Sequence, residues 1–175
     1  MSDNIIIRKV EPKDIQSVVD IQVNGWKTAY KGIISDDFLE SMNKEEKINK
    51  RKKDYNKTGF IVAELKNEIV GFCRYIDNNT YSKNLDYIDC EILALYVKVD
   101  LKYRGIGTKL FEYVKHEFQT KNKSKMILWC LKENDPSKKF YKKMGGKIVE
   151  EKEIELKGKK YREVGFLYSI WEEKD

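Results

Sequence analysis

The chain is poor in the residues that build metal centres and disulfide frameworks. It has one histidine and three cysteines in 175 residues. Cys73, Cys90 and Cys130 show no zinc-like spacing, and His116 sits between Lys115 and Glu117 as an exposed polar position, so no metal is expected. An odd number of cysteines, each within an apolar stretch, reads as three buried free thiols in a reducing cytosol. Apolar runs are short, none approaching the ~18 residues of a membrane span. The N-terminus has no basic segment followed by an apolar one. Neither secretion nor membrane spanning is therefore expected, and a cytoplasmic location is. Internal repeats, low-complexity stretches and a clear interdomain linker are also lacking.

What is present suits a globular protein. Hydrophobic residues make up 41% and charged residues 37%, a balance that argues against wholesale disorder. The length fits a single domain over 1–175. The formal charge is +6, from 35 Lys and Arg against 29 Asp and Glu. The two signs are interspersed, which indicates a solvated surface, although the excess would draw in an anionic ligand. Lys44 to Lys53 could be taken for a nucleic-acid patch. With Glu45 and Glu46 interleaved it reads better as an exposed helix face, so no nucleic-acid partner is expected.

Periodicity predicts an ordered series of elements. A strand covers Ile5 to Val10, and Pro12-Lys13-Asp14 opens a helix carrying Ile15, Val18, Val19, Ile21 and Trp26 on its apolar positions. Ser35-Asp36-Asp37 caps a second, lysine-rich helix through Tyr55. Phe60 to Leu65 and Ile69 to Tyr75 form two strands around Lys66-Asn67-Glu68, and Ile88 to Val99 a long one. Gly105 to Phe118 is an amphipathic helix with Ile106, Leu110, Val114 and Phe118 on one stripe. A strand (Met126 to Leu131), a helix (Asp135 to Met144) and two strands about Lys157-Gly158-Lys159 complete the chain. Such an order indicates an α/β or α+β sheet with helices packed on it.

The most informative segment follows the strand ending Leu95-Tyr96-Val97. There Lys102-Tyr103-Arg104-Gly105-Ile106-Gly107-Thr108 runs into a helix. Free N–H groups at a helix start, with the helix dipole, favour an anion. Gly105 and Gly107 remove side chains that would hold a pyrophosphate away, while Lys102 and Arg104 add positive charge. A P-loop is absent, and the third glycine of a dinucleotide fingerprint is replaced by Leu110. Taken alone, the segment is equally compatible with a tight helix entry and no ligand.

Lys102 to Gly107 resembles the acyl-CoA-binding motif of the GNAT superfamily of N-acetyltransferases, Gln/Arg-x-x-Gly-x-Gly/Ala. It departs from the motif at Lys102, and Tyr103 stands where many members have glycine. Leu131-Lys132-Glu133-Asn134 with Phe140-Tyr141-Lys142-Lys143-Met144-Gly145-Gly146 is similar to the family's later strand-helix segment. Trp26, Ala29, Tyr30, Gly32, Ile33 and Leu39 resemble the first helices of a large bacterial branch, and Tyr161-Arg162-Glu163-Val164 its last strand. The resemblance spans nearly the whole chain. It implies the GNAT fold: a mixed, mostly antiparallel sheet whose splayed parallel strands run around Leu95 and Leu128, flanked by about four helices.

The resemblance also implies an enzyme that moves an acetyl group from acetyl-CoA to a primary amine by direct attack in a ternary complex. A thiol of pKa about 8.5 is a fair leaving group, so covalent catalysis is unnecessary, and Cys130 is assigned to packing. By resemblance, Tyr141 protonates the departing thiolate and contacts the cofactor; the bland reading makes it a core aromatic beside Phe140. Glu91 matches a position that often carries a water-relayed general base. Strand alternation groups it with Leu93, Leu95 and Val97, opposite Ile92, Ala94 and Tyr96.

The segment Leu95, Tyr96, Val97 supplies main-chain groups to the thioester and pantetheine, and Lys102, Tyr103, Arg104, Gly105, Ile106, Gly107 and Thr108 hold the phosphates. Asn134 either hydrogen-bonds the cofactor or caps a helix, a role Asp135 could equally fill. Trp26 and Tyr30, four apart on one helix face, either wall the acceptor pocket or belong to the core. A non-catalytic acyl-CoA-binding or sensing module on the same fold is the alternative function. The acceptor would be a small-molecule or peptide amine, and a homodimer is compatible with the family.

Overall fold

Apolar periodicity becomes secondary structure at most of the expected positions. The computed structural model describes residues 4–79, 87–102 and 104–172. Seven strands lie among them: β1 (Ile6–Lys9), β2 (Gly59–Leu65), β3 (Glu68–Ile76), β4 (Cys90–Val97), β5 (Lys125–Leu131), β6 (Lys147–Leu156) and β7 (Lys159–Ser169). Five α-helices accompany them: α1 (Ile15–Ala29), α2 (Asp36–Glu40), α3 (Lys44–Asp54), α4 (Ile106–Thr120) and α5 (Asp135–Lys143).

One sheet runs in the order β1-β2-β3-β4-β5-β7-β6. Pairs β1–β2, β2–β3, β5–β7 and β7–β6 are antiparallel. β4 and β5 are parallel, registered from Cys90↔Met126 to Ile92↔Leu128. The class is thus the expected mixed, mostly antiparallel α/β sheet.

The chain divides into two compact units, 1–75 with 94–114, and 76–93 with 115–175. In the first, α1 buries Ile15, Val18, Val19 and Val23 against Phe60 and Val62 of β2 and Phe72 of β3. These positions recur at three- and four-residue spacing, so they form one stripe on the helix. Ile48, the apolar side chain of the lysine-rich α3, packs on the same cluster. The rest of α3 is solvated, with Lys44 paired to Asp20 and Arg51 to Asp54. Lys47 is the exception: burial, then the neighbouring Arg51 and Lys50, lower its ammonium pKa.

Three local expectations are corrected. The single helix from Ser35 through Tyr55 is two helices. Ser35 caps α2 by accepting from the Phe38 amide at 3.4 Å, and Ser41 Oγ then donates to the Phe38 carbonyl at 2.7 Å. Asn43 starts α3 by accepting from the Glu46 amide at 3.1 Å. Short polar side chains that bond nearby backbone favour caps over helix interiors, which breaks the run here. The long strand is also shorter than Ile88 to Val99, giving way to a 3-10 turn over Val99–Leu101. Likewise the first helix is entered through a 3-10 turn, Pro12–Asp14. The hairpin turns are as expected, with Lys66 and Asn67 both at positive φ (51° and 65°), the form that matches strand twist.

In the second unit, Met126, Ile127, Leu128, Phe166, Phe118 and Ile170 are all 2% exposed or less. α5 is tied down by Tyr168, whose hydroxyl donates to the Tyr141 carbonyl at 2.8 Å.

The entry to α1 is held by charge. Arg8 donates to both Asp14 oxygens at 2.8 and 3.0 Å and to Glu64 at 2.8 Å, linking β1, the helix entry and β2. Burial opposes ionisation of Asp14, but the Arg8 hydrogen bonds and the Glu11 amide outweigh it and hold this carboxyl below its ordinary 3.8. Replacement Asp14→Asn leaves Arg8 with one carboxylate fewer and is expected to cost about 3 kcal/mol at pH 7. A depressed carboxyl contributes stability above its unfolded-state pKa and loses it as pH falls through the folded-state value. The urea midpoints of the two proteins should therefore stay apart at pH 5 and converge below pH 3.8.

Candidate active site

In the first unit the glycine segment leads directly into α4. Lys102 and Arg104 are exposed, Gly105 is exposed at φ +80°, and Ile106 is buried at the first helical position. Tyr103 lies outside the described residues. A Cβ at Gly105 would meet nothing within 4 Å. The left-handed backbone at Gly105 is by itself a reason for glycine there. Lys109 N–H bonds the Gly105 carbonyl at 3.1 Å, so the helix closes on this glycine. Ile106, Gly107 and Thr108 supply the first-turn N–H groups, which helix geometry leaves without helical acceptors. The first turn of α4 carries no acidic side chain. A helix start with no acidic side chain in its first turn, preceded by two exposed cations, fits an anionic phosphate group.

Tyr96, Trp26 and Tyr30 come together in the same unit. Trp26 Nε1 donates to Tyr96 Oη at 2.5 Å, and the Tyr96 ring stacks on Phe72 at 5.4 Å. Trp26 and Tyr30 meet edge to face at 4.9 Å, with Phe38 6.0 Å from Trp26. Tyr30 is buried, whereas Trp26 is half-buried and retains an open side. Gly25 lets α1 approach: a Cβ there would stand 3.3 Å from Tyr96 Cδ1. On the other side of β3, a Cβ at Gly71 would stand 3.0 Å from the Tyr96 carbonyl and 3.2 Å from Ile106 Cγ2. Leu95 and Val97 are half-buried beside Tyr96 on β4.

In the second unit Glu91 is 1% exposed and stands opposite Ile127 in the parallel register. A carboxyl group so deeply placed is costly without polar neighbours. Asn134 is the N-cap of α5, its Oδ1 accepting from the Ser137 amide at 3.3 Å. The capping position thus falls to Asn134, not to Asp135. Tyr141 is buried on α5, edge to face with Phe140 and 5.6 Å from the Phe166 ring. Its neighbours are therefore partly those of a core aromatic, as the bland reading had it.

Sequence analysis assigns no role to Trp129 or Lys152, and places Glu163 only in a last-strand segment. Lys152 Nζ lies 4.1 Å from the Trp129 ring centroid and 3.5 Å from a Glu163 oxygen. The pairing of β5, β7 and β6 brings the three together. Among the described residues, no three His, Cys, Asp or Glu side chains gather in a way that could hold a metal ion. No helix there is long and apolar enough to cross a membrane.

A mixed sheet with a glycine-led helix after its parallel strand defines an α/β protein of a recognisable class, and comparison with known proteins places it. The acetyltransferase (GNAT) family matches residues 26–146. The N-acetyltransferase YuaI of Bacillus subtilis (strain 168), itself uncharacterized, is 27% identical over 161 residues, covering 92% of this chain and 91% of YuaI. Spermidine N(1)-acetyltransferase of Thermoplasma acidophilum is 25% identical over 154 residues, covering 83% and 89%. The crystal structure of PaiA N-acetyltransferase from Thermoplasma acidophilum in complex with coenzyme A superposes with a TM-score of 0.71 at 23% identity, over 94% of this chain and 99% of that one. The chain belongs to the GNAT acetyltransferase family, and acyl transfer is the class of reaction that membership assigns to it.

The three cysteines are poorly suited to a nucleophilic role. All three are free and buried. Burial, with Glu163 adding to it, pushes the Cys130 thiol up to about 12, and Cys73 and Cys90 are raised further. A thiolate is the reactive form, so a raised thiol is inert at neutral pH. Iodoacetamide at pH 8 should leave the native protein unlabelled while modifying all three cysteines in urea; labelling of native Cys130 would reopen a nucleophilic role.

Proposed function

We propose that this protein is an N-acetyltransferase that moves the acetyl group of acetyl-CoA to a primary amine by direct attack in a ternary complex. The observation that carries this reading is the start of α4, inside the family-matched segment. Gly105 there holds a left-handed turn, the first-turn amides are presented without a local acid, and Lys102 and Arg104 stand exposed beside them. A helix N-terminus of this kind suits a pyrophosphate. Relatives named for N-acetyl transfer and a similar fold solved with coenzyme A support the same donor.

The chemistry makes three demands, and candidate residues answer each. The amine must be neutral to attack, and Glu91, through water, takes its proton. Negative charge develops on the thioester oxygen, which the main-chain N–H groups of Leu95 or Val97 stabilise. The departing thiolate needs a proton, which the Tyr141 hydroxyl donates. Asn134 adds a hydrogen bond to the pantetheine arm, and Trp26 and Tyr30 wall the acceptor. The fold is read as one functional domain in the cytoplasm, acting without metal, membrane or nucleic acid and able to form a homodimer.

A panel of primary amines, with acetyl-CoA as donor and CoA release as the signal, tests the reaction. Turnover with at least one amine is expected; tight acetyl-CoA binding with no turnover across the panel would support the acyl-CoA-sensing alternative instead. Tyr141→Phe should lower kcat about 100-fold with little change in acetyl-CoA affinity, and unchanged turnover would remove its assigned role. Gly105→Ala should weaken acetyl-CoA binding about tenfold, because alanine in the left-handed region costs roughly 1–2 kcal/mol. Calorimetric titration with CoA reads that change directly.

A further inference from the structure

Two adjacent glycines close α5, each for a different reason. Gly145 takes φ +100°, a left-handed conformation. Its N–H bonds the Lys142 carbonyl at 3.0 Å, and the Gly146 N–H bonds the Tyr141 carbonyl at 3.1 Å, the two bonds of a Schellman end. Gly146 is not left-handed. The demand there is room: a Cβ would stand 2.6 Å from both Cζ and the hydroxyl of Tyr168, and 3.0 Å from the Tyr141 carbonyl oxygen. Gly145 thus ends the helix, and Gly146 admits the Tyr168 side chain to it.

The Tyr168 hydroxyl donates to the Tyr141 carbonyl at 2.8 Å. Together with the Gly146 amide it takes up both lone pairs of that oxygen. Tyr168 is buried and stands opposite the fully buried Met126, on a strand flanked by β5 and β6. Burial, with Cys130 adding to it, pushes this phenol above its ordinary 10, so it stays a donor at neutral pH. Alternation along β7 places Phe166 on the same face as Tyr168. The Phe166 ring lies 5.6 Å from the Tyr141 ring. β7 therefore holds Tyr141 at two points, the ring through Phe166 and the main chain through Tyr168.

Such a hold matters most at this residue. α5 has nine residues, fewer than the ~12–15 at which an isolated helix becomes stable. Tyr141 lies in its last turn, where helices fray. Proton donation needs the hydroxyl within hydrogen-bond reach, and a misplacement of about 1 Å can cost roughly a hundredfold in rate. We infer that Tyr168 is a positioning residue for the transfer reaction: its hydroxyl, admitted by Gly146, fixes the Tyr141 main chain and with it the bearing of the phenol that protonates the leaving thiolate. Tyr168 itself exchanges no proton in that step. This rests on the role given to Tyr141 above and adds the residues on which that role depends.

The test has a kinetic and a spectroscopic arm. With an amine that the protein acetylates, Y168F should lower kcat about tenfold or more, while CoA affinity by calorimetric titration stays within about twofold. G146A, whose methyl group drives the Tyr168 ring off the carbonyl, should reproduce that split and decides the matter if Y168F fails to fold. In a Y141F background, Y168F should change kcat by less than about twofold, because a residue acting through Tyr141 has nothing left to act on. For the second arm the protein carries 3-fluorotyrosine, and the Tyr141 fluorine NMR signal is identified by its loss in Y141F. That signal should shift or broaden in Y168F with CoA bound. Wild-type kcat in Y168F, or an unchanged Tyr141 signal, overturns the inference. So does a fall in kcat of the same size in the Y141F background, or CoA affinity lost in step with kcat; a Tyr168 that merely supports the fold predicts those results. The two readings fail distinguishably. Absent turnover, or a Y141F protein as fast as wild type, sinks the reading on which the inference rests and the inference with it, whereas a slow Y141F beside a fast Y168F sinks this inference alone.

Discussion

A parallel pair of strands cannot be closed by a tight turn, and much of this fold follows from that constraint. β4 and β5 run parallel over the register Cys90↔Met126 to Ile92↔Leu128. A connection of a dozen residues or more must therefore join them, and in such connections a helix is the usual solution. Residues 98–124 supply it, with α4 as its body. The helix begins after β4 ends, so its N-terminus, with the positive end of the helix dipole, follows the strand along the chain. Gly105 makes that start possible by accepting φ +80°. The candidate phosphate grip is thus a by-product of sheet topology, to which Lys102 and Arg104 add charge.

Polar groups taken out of water are handled differently in different parts of the chain. Arg8 and Asp14 satisfy one another with two hydrogen bonds, and the Glu11 amide takes up a further lone pair, so that ion pair fixes the entry to α1. Asn134 satisfies the start of α5, and Trp26 and Tyr96 satisfy each other. Trp129 breaks the pattern, with an indole donor that finds no acceptor.

Much of the site was legible because motif chemistry is local. Gly105 and Gly107 before an amphipathic helix, Asn134 before the Phe140-Tyr141 helix, and Trp26 four residues from Tyr30 are all short-range patterns. Each falls on or next to the expected element, Tyr30 as the C-cap of α1 and Gly105 just before α4. The helix break at Ser41 to Asn43 was less legible, because lysine-rich periodicity continues across it and only the side-chain caps reveal the interruption. The contact among Trp129, Lys152 and Glu163 was not legible. They are 11 or more positions apart, and no rule of composition or spacing connects them.

From sequence alone came the class of fold, the family, the glycine-led helix and the candidate donor chemistry, since backbone conformation and helix polarity are written in neighbouring residues. Tertiary structure decided what each side chain has beside it. It showed Gly105 in a left-handed turn with open space around it, gave Asn134 Oδ1 a capping bond from the Ser137 amide, and placed Tyr141 among aromatics. It also put Lys152 over Trp129, next to Glu163. Strand register is fixed by pairing across the sheet, where a one-residue slip would send every side chain to the opposite face.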